Sequence, residues 1–175
     1  MAYAVSSVAA APTRFERTTS TGASVWRTMY FGPAPSPESS DSVRSDVPNL
    51  LQYIDPAPGE VRPPQAFLVE QAPGAITGAH FHFVDQFQVV VAGSGSIGRH
   101  PVGPVSAHFA SACTGYGPIT PNDDGIKYFT LRASADTTGA QYLPAARSKM
   151  REAPRRNVFF DAVTPSSPQA LIASN

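Results

Sequence analysis

A stretch of twenty residues, 74–93, limits what this chain can fold into more than any other part of it. The stretch is Gly-Ala-Ile-Thr-Gly-Ala-His-Phe-His-Phe-Val-Asp-Gln-Phe-Gln-Val-Val-Val-Ala-Gly. Successive side chains on an extended strand point to opposite faces, so His80 and His82 lie on the same face. One strand can in this way offer two imidazole ligands to one metal ion. A bend at residues 84–85 would then bring Gln86 beside the two rings.

This spacing resembles the first signature of the cupin superfamily, which is written G-x5-H-x-H-x3-4-E-x6-G. The matching residues are Gly74, His80, His82, Gln86 and Gly93, so glutamine stands where the signature has glutamate. The resemblance implies an all-β fold, namely a single cupin-type antiparallel β-barrel or jelly roll. Small barrels of this kind hold one metal ion among inward side chains. We expect N-terminal strands and a short C-terminal helix around the barrel.

The position of a third ligand is open. The second cupin signature has a third histidine on the penultimate barrel strand, but residues 115–119 of this chain are Gly-Tyr-Gly-Pro-Ile. His108 lies between apolar neighbours on the preceding strand and is the first candidate, whereas His100 lies beside a turn and should be exposed. Glu70, on the strand before His80, is a second candidate, although a charged residue near a strand end usually faces solvent.

The predicted metal ligands are His80, His82, Gln86 and His108. Imidazole nitrogen and amide oxygen form a neutral set that suits a divalent transition metal, which would be Fe, Mn, Ni, Co or Zn. Because glutamine removes one negative charge, we expect weaker metal binding than in a glutamate site and a stronger Lewis acid. The alternative is that the two histidines are ordinary core or surface residues without a metal.

Tyr116 and Gln88 are the predicted catalytic residues. Tyr116 is placed to donate a proton near the metal, and Gln88 shares strand parity with Gln86. Tyr128 and Arg132 are further candidates for the lining of the barrel cavity. The small buried residue Cys113 has no sequence signature of a nucleophile around it.

Residues 93–98 spell G-x-G-x-x-G directly after a strand, which would indicate a dinucleotide site if a helix followed. Residues 99–104 contain two prolines and a glycine, which prevent a helix interior. We therefore interpret the glycines as turn residues of a hairpin and predict no organic cofactor.

Two functional hypotheses from different classes follow. The first is a metal-dependent enzyme that acts on a small organic substrate in the barrel cavity, either as a lyase, isomerase or cyclase or as a dioxygenase. The second is a non-catalytic cupin that binds a small molecule and has a degenerate metal site.

Composition restricts the partners. Thirteen basic and thirteen acidic residues give a formal net charge of zero, which predicts neither a nucleic-acid nor a membrane partner. One cysteine excludes an intramolecular disulfide and a cysteine zinc cluster. The apolar segment 2–11 lacks a basic start and should be an extended arm, and no apolar run approaches the ~18 residues of a membrane span. We expect a cytoplasmic protein with a small-molecule ligand.

The length of 175 residues fits one domain, 1–175. Its barrel core should span about 49–133, after an arm and loop at 1–48 and before a C-terminal extension at 134–175. Within the loop, residues 33–48 are rich in proline and serine and are a candidate lid.

Predicted strands are Ser24–Phe31, 49–54, Gln65–Gln71, 106–112, 116–120 and 127–132, with a turn at 121–125 between the last two. Helical turns are expected within 143–152, and a strand at 157–163 should pair with another subunit of a homodimer formed through sheet edges and terminal arms.

Overall fold

The structure, a computed structural model, describes residues 5–18, 22–32, 62–136, 138–152 and 154–161. This part of the chain contains one short α-helix, α1 (Ser7–Ala10), and two 3-10 turns, Ala11–Thr13 and Arg147–Lys149. Its strands are β1 (Phe15–Thr18), β2 (Ser24–Phe31), β3 (Gln65–Gln71), β4 (His80–Phe81), β5 (Gln86–Ile97), β6 (His100–Val102), β7 (Ala107–Ala110), β8 (Ile119–Arg132), β9 (Gln141–Tyr142) and β10 (Asn157–Phe160).

Antiparallel pairing joins all these strands into two sheets. The large sheet has the order β1-β2-β3-β8-β5-β7-β10, with β6 on β5, and the small sheet consists of β4 and β9. Isolated bridges from Thr77 to Ile119 and from His80 to Tyr116 fasten the small sheet across the large one. The predicted fold class, an all-β antiparallel barrel of the jelly-roll type, is confirmed.

The inner face of the barrel is unusually polar. Strand β3 buries every second residue, and two of the four buried positions are glutamines, Gln65 and Gln71. The other buried polar side chains on the large sheet are Thr28, Gln86, Gln88, His108, Thr130 and Arg132. Buried polar groups cost free energy unless each finds a partner. The interior therefore combines an apolar layer with a connected polar region.

Strand β8 differs from the prediction of two strands at 116–120 and 127–132. It runs without interruption through residues 121–125, where we expected a turn, because β5 continues alongside it. The pairing shifts register between Gly93 and Gly95, and the hairpin turn comes only at residues 98–99. Interpreting the glycines of residues 93–98 as turn residues was therefore wrong for Gly93 and Gly95, which lie inside β5, and correct for Gly98. Gly93 and Gly95 permit a close approach of two strands.

The N-terminal segment is not the extended arm that we expected. Ser6 caps α1 by accepting the backbone N–H of Ala9 at 3.1 Å, a common role for serine. β1 follows and pairs with β2. The segment is thus part of the fold.

The C-terminal strand pairs with β7 of the same chain and is the last strand in the order of the large sheet. The expected pairing of residues 157–163 with another subunit stays a prediction. In the region 143–152 the helical structure is the single 3-10 turn Arg147–Lys149.

The described residues do not test several of the predictions made from the sequence. The loop at 33–48 and the strand at 49–54 lie outside the described residues. The homodimer and the cytoplasmic location stay predictions. In the described part of the chain, no helix has the length and apolar character needed to cross a membrane.

Glu70 faces away from the barrel interior, which excludes its role as a third ligand inside the barrel. Its carboxylate lies 2.7 Å from Lys127 Nζ and 3.0 Å from Arg14 Nη2. Burial on its own raises the pKa of Glu70, but the hydrogen bonds and charges of Lys127 and Arg14 lower it by more, so the net pKa is below its usual range. The three residues connect β3 to β8 and to the start of β1.

Replacing this carboxylate gives a pH-dependent loss of stability. A lowered folded-state pKa stabilises the protein above the unfolded pKa, and this contribution disappears as pH falls through the folded pKa. Glu70→Gln should lower the free energy of unfolding by about 1 kcal/mol near pH 7 and by nearly nothing near pH 3. Urea unfolding at both pH values measures this, with the exposed Asp123→Asn as control. A loss that is equal at both pH values would contradict the ion-pair assignment.

The close approach of β5 and β8 gives a second prediction. A Cβ atom at Gly93, where φ is +68°, would lie 2.2 Å from the carbonyl oxygen of Gly125, and left-handed φ adds strain of its own. Gly93→Ala should lower the free energy of unfolding by about 3 kcal/mol or more. Gly103→Ala is the matched control, since a Cβ there meets nothing within 4 Å. Equal unfolding midpoints for the two variants would refute the argument.

Candidate active site

A small cavity lies inside the barrel beside β4. Its free volume is about 40 Å³, which is room for roughly three water molecules. The polar side chains that line it are Thr77, His80, His82, Gln86, Gln88, Tyr116, Tyr128, Thr130, Arg27, Arg132 and Asp136. The cavity is therefore a polar site, and its chemistry depends on how these groups are bonded.

His80 belongs to a chain of hydrogen bonds with a fixed direction. Its Nδ1 lies 2.7 Å from the carbonyl oxygen of Gly78, and a carbonyl can only accept, so Nδ1 carries the proton. In the neutral ring Nε2 then accepts the Tyr116 hydroxyl proton at 2.7 Å. Gln86 Nε2 donates to the same hydroxyl oxygen at 2.5 Å. The amide of Gln86, the phenol of Tyr116 and the imidazole of His80 thus form one chain of hydrogen bonds.

The backbone holds this chain of hydrogen bonds in place. His80 and Tyr116 exchange two backbone hydrogen bonds, each 3.0 Å long. Their rings lie with centroids 4.5 Å apart. Because the backbones are paired, the phenol oxygen meets the imidazole nitrogen without help from flexible loops.

His82 forms a hydrogen-bonded pair with Asp136. His82 Nδ1 lies 2.5 Å from Asp136 Oδ2. Burial on its own raises the pKa of Asp136, but the hydrogen bond and charge of His82, the charge of Arg132 and the N–H of Thr138 lower it by more, well below its usual range. The carboxylate is therefore ionised and accepts the Nδ1–H of His82. The lone pair of the neutral ring is then on Nε2.

Asp136 is held on both oxygens. While Oδ2 accepts from His82, Oδ1 accepts the backbone N–H groups of Thr138 at 2.9 Å and Gly139 at 3.2 Å, and the Thr138 hydroxyl at 2.8 Å. Asp136 is 3% exposed. The carboxylate thus has a fixed orientation toward the histidine.

Arg132 places a buried positive charge between these pairs. Its Nε and Nη2 donate to Gln86 Oε1 at 3.2 and 3.0 Å, and its Nη1 donates to Gln65 Oε1 at 2.9 Å. Nη1 also lies 3.7 Å from Asp136 Oδ2. Nη2 is 3.3 Å from both ring nitrogens of His82, which places it over the face of the ring.

Four of the six predicted site residues come together and two form a separate pair. The rings of His80 and His82 have centroids 5.1 Å apart, and Gln86 and Tyr116 contact each other beside them. His108 bonds elsewhere: its Nδ1 lies 2.7 Å from Gln88 Oε1 and its Nε2 2.5 Å from Asn157 Oδ1. Gln88 lines the cavity, but its amide group is hydrogen-bonded to His108.

His108 is a structural histidine in this arrangement. Burial lowers its pKa, the bond to Asn157 raises it and His100 lowers it, with a net pKa below the usual range. A neutral ring has one donor and one acceptor nitrogen, so one of the two neighbouring amides must present its NH2 group to the ring. The ring thereby ties β10, through Asn157, to the barrel.

Sequence reasoning missed Asp136 and the roles of Arg132. Asp136 lies beyond the last barrel strand, in the run Ala-Asp-Thr-Thr-Gly, whose composition is typical of a turn. Arg132 was expected only as one of several lining residues. Nothing in the sequence around Asp136 points to His82, which is 54 residues away.

Two features suit a metal ion at this site. Metal-binding histidines usually donate their second N–H to a carboxylate or a carbonyl. His80 does so to Gly78 and His82 does so to Asp136. Both rings therefore have Nε2 as the atom that would bind the ion.

Other features do not suit it. Gln86 Oε1 is bonded to Arg132, His108 is engaged elsewhere, and in the described ranges no three His, Cys, Asp or Glu side chains are arranged as ligands. An ion bound to both rings would also lie close to the positive charge of Arg132, whose Nη2 is 3.3 Å from both nitrogens of His82, and would be repelled by it. The described residues do not complete a metal site as they are arranged.

Comparison with known proteins adds a similarity of fold only. No protein-family model and no curated protein matches the chain. The structure of KdgF from Halomonas sp. is 16% identical, covers 69% of this chain and 87% of that one, and has a TM-score of 0.43. An RmlC-like cupin protein from Ralstonia eutropha is 18% identical over 76% and 66% of the two chains, with a TM-score of 0.43.

A variant of oxalate decarboxylase from B. subtilis is also similar. It is 15% identical, covers 90% of this chain and 44% of that one, and has a TM-score of 0.46. This level of similarity concerns the fold and assigns no role to the residues of the site.

Removing the charge of Asp136 should be costly. Asp136→Asn keeps an oxygen for Thr138 and Gly139 but leaves Arg132 without a nearby anion, and we expect a loss of about 3 kcal/mol in the free energy of unfolding. Asp85→Asn is the matched control, because the exposed Asp85 accepts one backbone N–H, from Ala112 at 2.7 Å. That variant should lose about 1 kcal/mol or less. Urea unfolding compares them, and equal losses would show that Asp136 does not offset a buried charge.

Proposed function

We propose that this chain is an enzyme that transfers protons on a small organic molecule in the barrel cavity, as an isomerase or a lyase does. One observation carries the proposal: two hydrogen-bonded pairs, His82 with Asp136 and Tyr116 with His80, line the same cavity, with their imidazole centroids 5.1 Å apart. General acid–base catalysis needs one group that removes a proton and a second group that returns one.

His82 is the proposed base. Its Nδ1–H is held by Asp136, so Nε2 is the atom that takes a proton from the substrate. The ring becomes positively charged when it does so, and the ionised carboxylate at 2.5 Å stabilises that charge. Asp136 also fixes the tautomer, because a carboxylate can only accept.

Tyr116 is the proposed acid, acting with His80. When His80 takes up a second proton, on Nε2, that nitrogen becomes a donor to the phenol oxygen at 2.7 Å. Its proton then passes to the phenol oxygen as the phenol proton passes to the substrate, and His80 returns to the neutral ring. Gln86 holds the phenol oxygen from the other side. Its amide oxygen is in turn held by Arg132. This arrangement keeps the acid in one position.

Arg132 supports negative charge that develops during the reaction. Removal of a proton from a carbon next to a carbonyl places the electron pair on the carbonyl oxygen, and a fixed cation in a buried site stabilises that oxygen. Return of the proton at a different atom gives an isomer. Loss of a group from the neighbouring carbon gives an elimination product instead.

The cavity limits the substrate. About 40 Å³ of free volume admits a few non-hydrogen atoms. Either the substrate is very small or only its reacting end enters. Since Arg27 and Arg132 face one carboxylate, Asp136, in the lining, a polar group without a large positive charge fits best.

The metal-dependent form of this function is the competing hypothesis. The hydrogen bonds from Nδ1 of His80 and His82, which put the lone pair of each neutral ring on Nε2, favour it. A divalent ion held there would supply Lewis-acid or dioxygenase chemistry. Arg132 and the engaged Gln86 oppose it. The third hypothesis is a binding protein without turnover.

A solvent-exchange experiment tests the proposal. The protein is incubated in D2O with a panel of small 2-keto and 2-hydroxy carbonyl compounds, and NMR follows the loss of the proton next to the carbonyl. We expect His82→Gln and Tyr116→Phe to slow exchange about 100-fold or more. His100→Gln is the control, because His100 is exposed and outside the lining of the cavity, and it should exchange at the wild-type rate.

The same samples separate the hypotheses. Exchange that requires about one equivalent of transition metal and is abolished by chelation would favour the metal-dependent enzyme. Ligand-induced NMR shifts without exchange, in protein with less than about a tenth of an equivalent of metal, would favour the binding protein.

A further inference from the structure

The guanidinium group of Arg132 is a permanent charge in the wall of the cavity. Arg132 is 7% exposed. Three of its nitrogen atoms donate to the amide oxygens of Gln65 and Gln86 at 2.9 to 3.2 Å. Water is therefore a minor partner for this cation, and its position is set by the protein.

The charged side chains that line the cavity leave no excess of negative charge. Among the described residues of the lining, Arg27 and Arg132 carry positive charges, and Asp136 is the one carboxylate. A divalent ion on His80 and His82 would add two positive charges to a buried site that has no further anion to offset them. Buried uncompensated charge is strongly unfavourable.

Gln86 has a complementary role. A carboxylate at this position would both ligate an ion and balance its charge, whereas the amide does neither while Arg132 holds its oxygen at 3.0 Å. The amide nitrogen is also committed, to the hydroxyl of Tyr116. The glutamine is thus fitted to the guanidinium.

We propose that Arg132 and Gln86 together keep divalent transition metals out of this cavity, with the guanidinium supplying the fixed positive charge that a bound ion would otherwise supply. On this proposal, Gln86 replaces the glutamate of the cupin signature because Arg132 is buried beside it, and the two residues act together. The proposal does not rest on the proposed proton transfer, since it concerns metal binding alone.

Substitutions that change the charges inside the barrel cavity test the proposal. The double variant Gln86→Glu with Arg132→Gln gains one carboxylate and loses one guanidinium in the cavity, so its lining becomes more negative by two charges, which matches the charge of a divalent ion. Co(II) is the probe, and calorimetry and its visible absorption report binding. We expect the double variant to bind Co(II) at least about 100-fold more tightly than the wild type. Gln86→Glu alone should gain little, because Arg132 pairs with the new carboxylate.

A matched control carries the same charge change in a different place. Gln88→Glu with Arg132→Gln puts the carboxylate on the same strand and the same face, but beside His108. It should not gain tight Co(II) binding. Adding His80→Ala to the first double variant should abolish the gain, which assigns the ion to the imidazole pair.

Two results would overturn the proposal. One is wild-type protein that binds Co(II) as tightly as the folded double variant. The other is a folded double variant, judged by circular dichroism, that does not gain binding. If the double variant does not fold, the proposal is tested on the wild-type protein, by the NMR signals of its imidazole ring protons. The proposal expects no paramagnetic shift of His80 and His82 at one equivalent of Co(II), and such a shift refutes it.

Discussion

A buried guanidinium needs oxygen atoms around it, and the interior of this barrel is arranged to meet that need. Arg132 lies at the end of a long strand, 7% exposed. It is surrounded by the amide oxygens of Gln65 and Gln86 and the carboxylate of Asp136. Each of these groups has a second partner or a fixed backbone position, so the charge orders much of the cavity wall. Without it the neighbouring polar side chains would be buried with fewer partners, which is costly.

The proposed chemistry follows from this order. Because Gln86 is held by Arg132, its amide can hold the hydroxyl of Tyr116, and that hydroxyl in turn bonds His80. Because Asp136 is held by backbone N–H groups, it can hold His82. The two histidines thus have different partners although they are two residues apart on the chain. One is hydrogen-bonded to a phenol and the other is paired with a carboxylate, and on these two pairs we base the proposed acid and the proposed base.

Part of the fold and of the candidate site was predictable from the sequence, and part was not. Strands β2 and β3 have the bounds that their composition predicts, and the common face of His80 and His82 follows from strand geometry. The turn at 121–125 was wrong, because glycines that look like turn residues instead let β5 and β8 approach closely at Gly93. The position of His108 was also beyond reach: its strand was predicted, but its hydrogen bonds go to Gln88 and Asn157.

The sequence by itself determined the β class, the alternation of polar and apolar residues along the strands, and the placement of two imidazoles on one face. These depend on local backbone geometry, which spans only a few residues. Only the tertiary structure decided which groups face those imidazoles. Asp136 meets His82 across 54 residues and Arg132 meets Gln86 across 46 residues. Such contacts depend on strand register and on the closing of the barrel, where a shift of one residue turns a side chain to the opposite face.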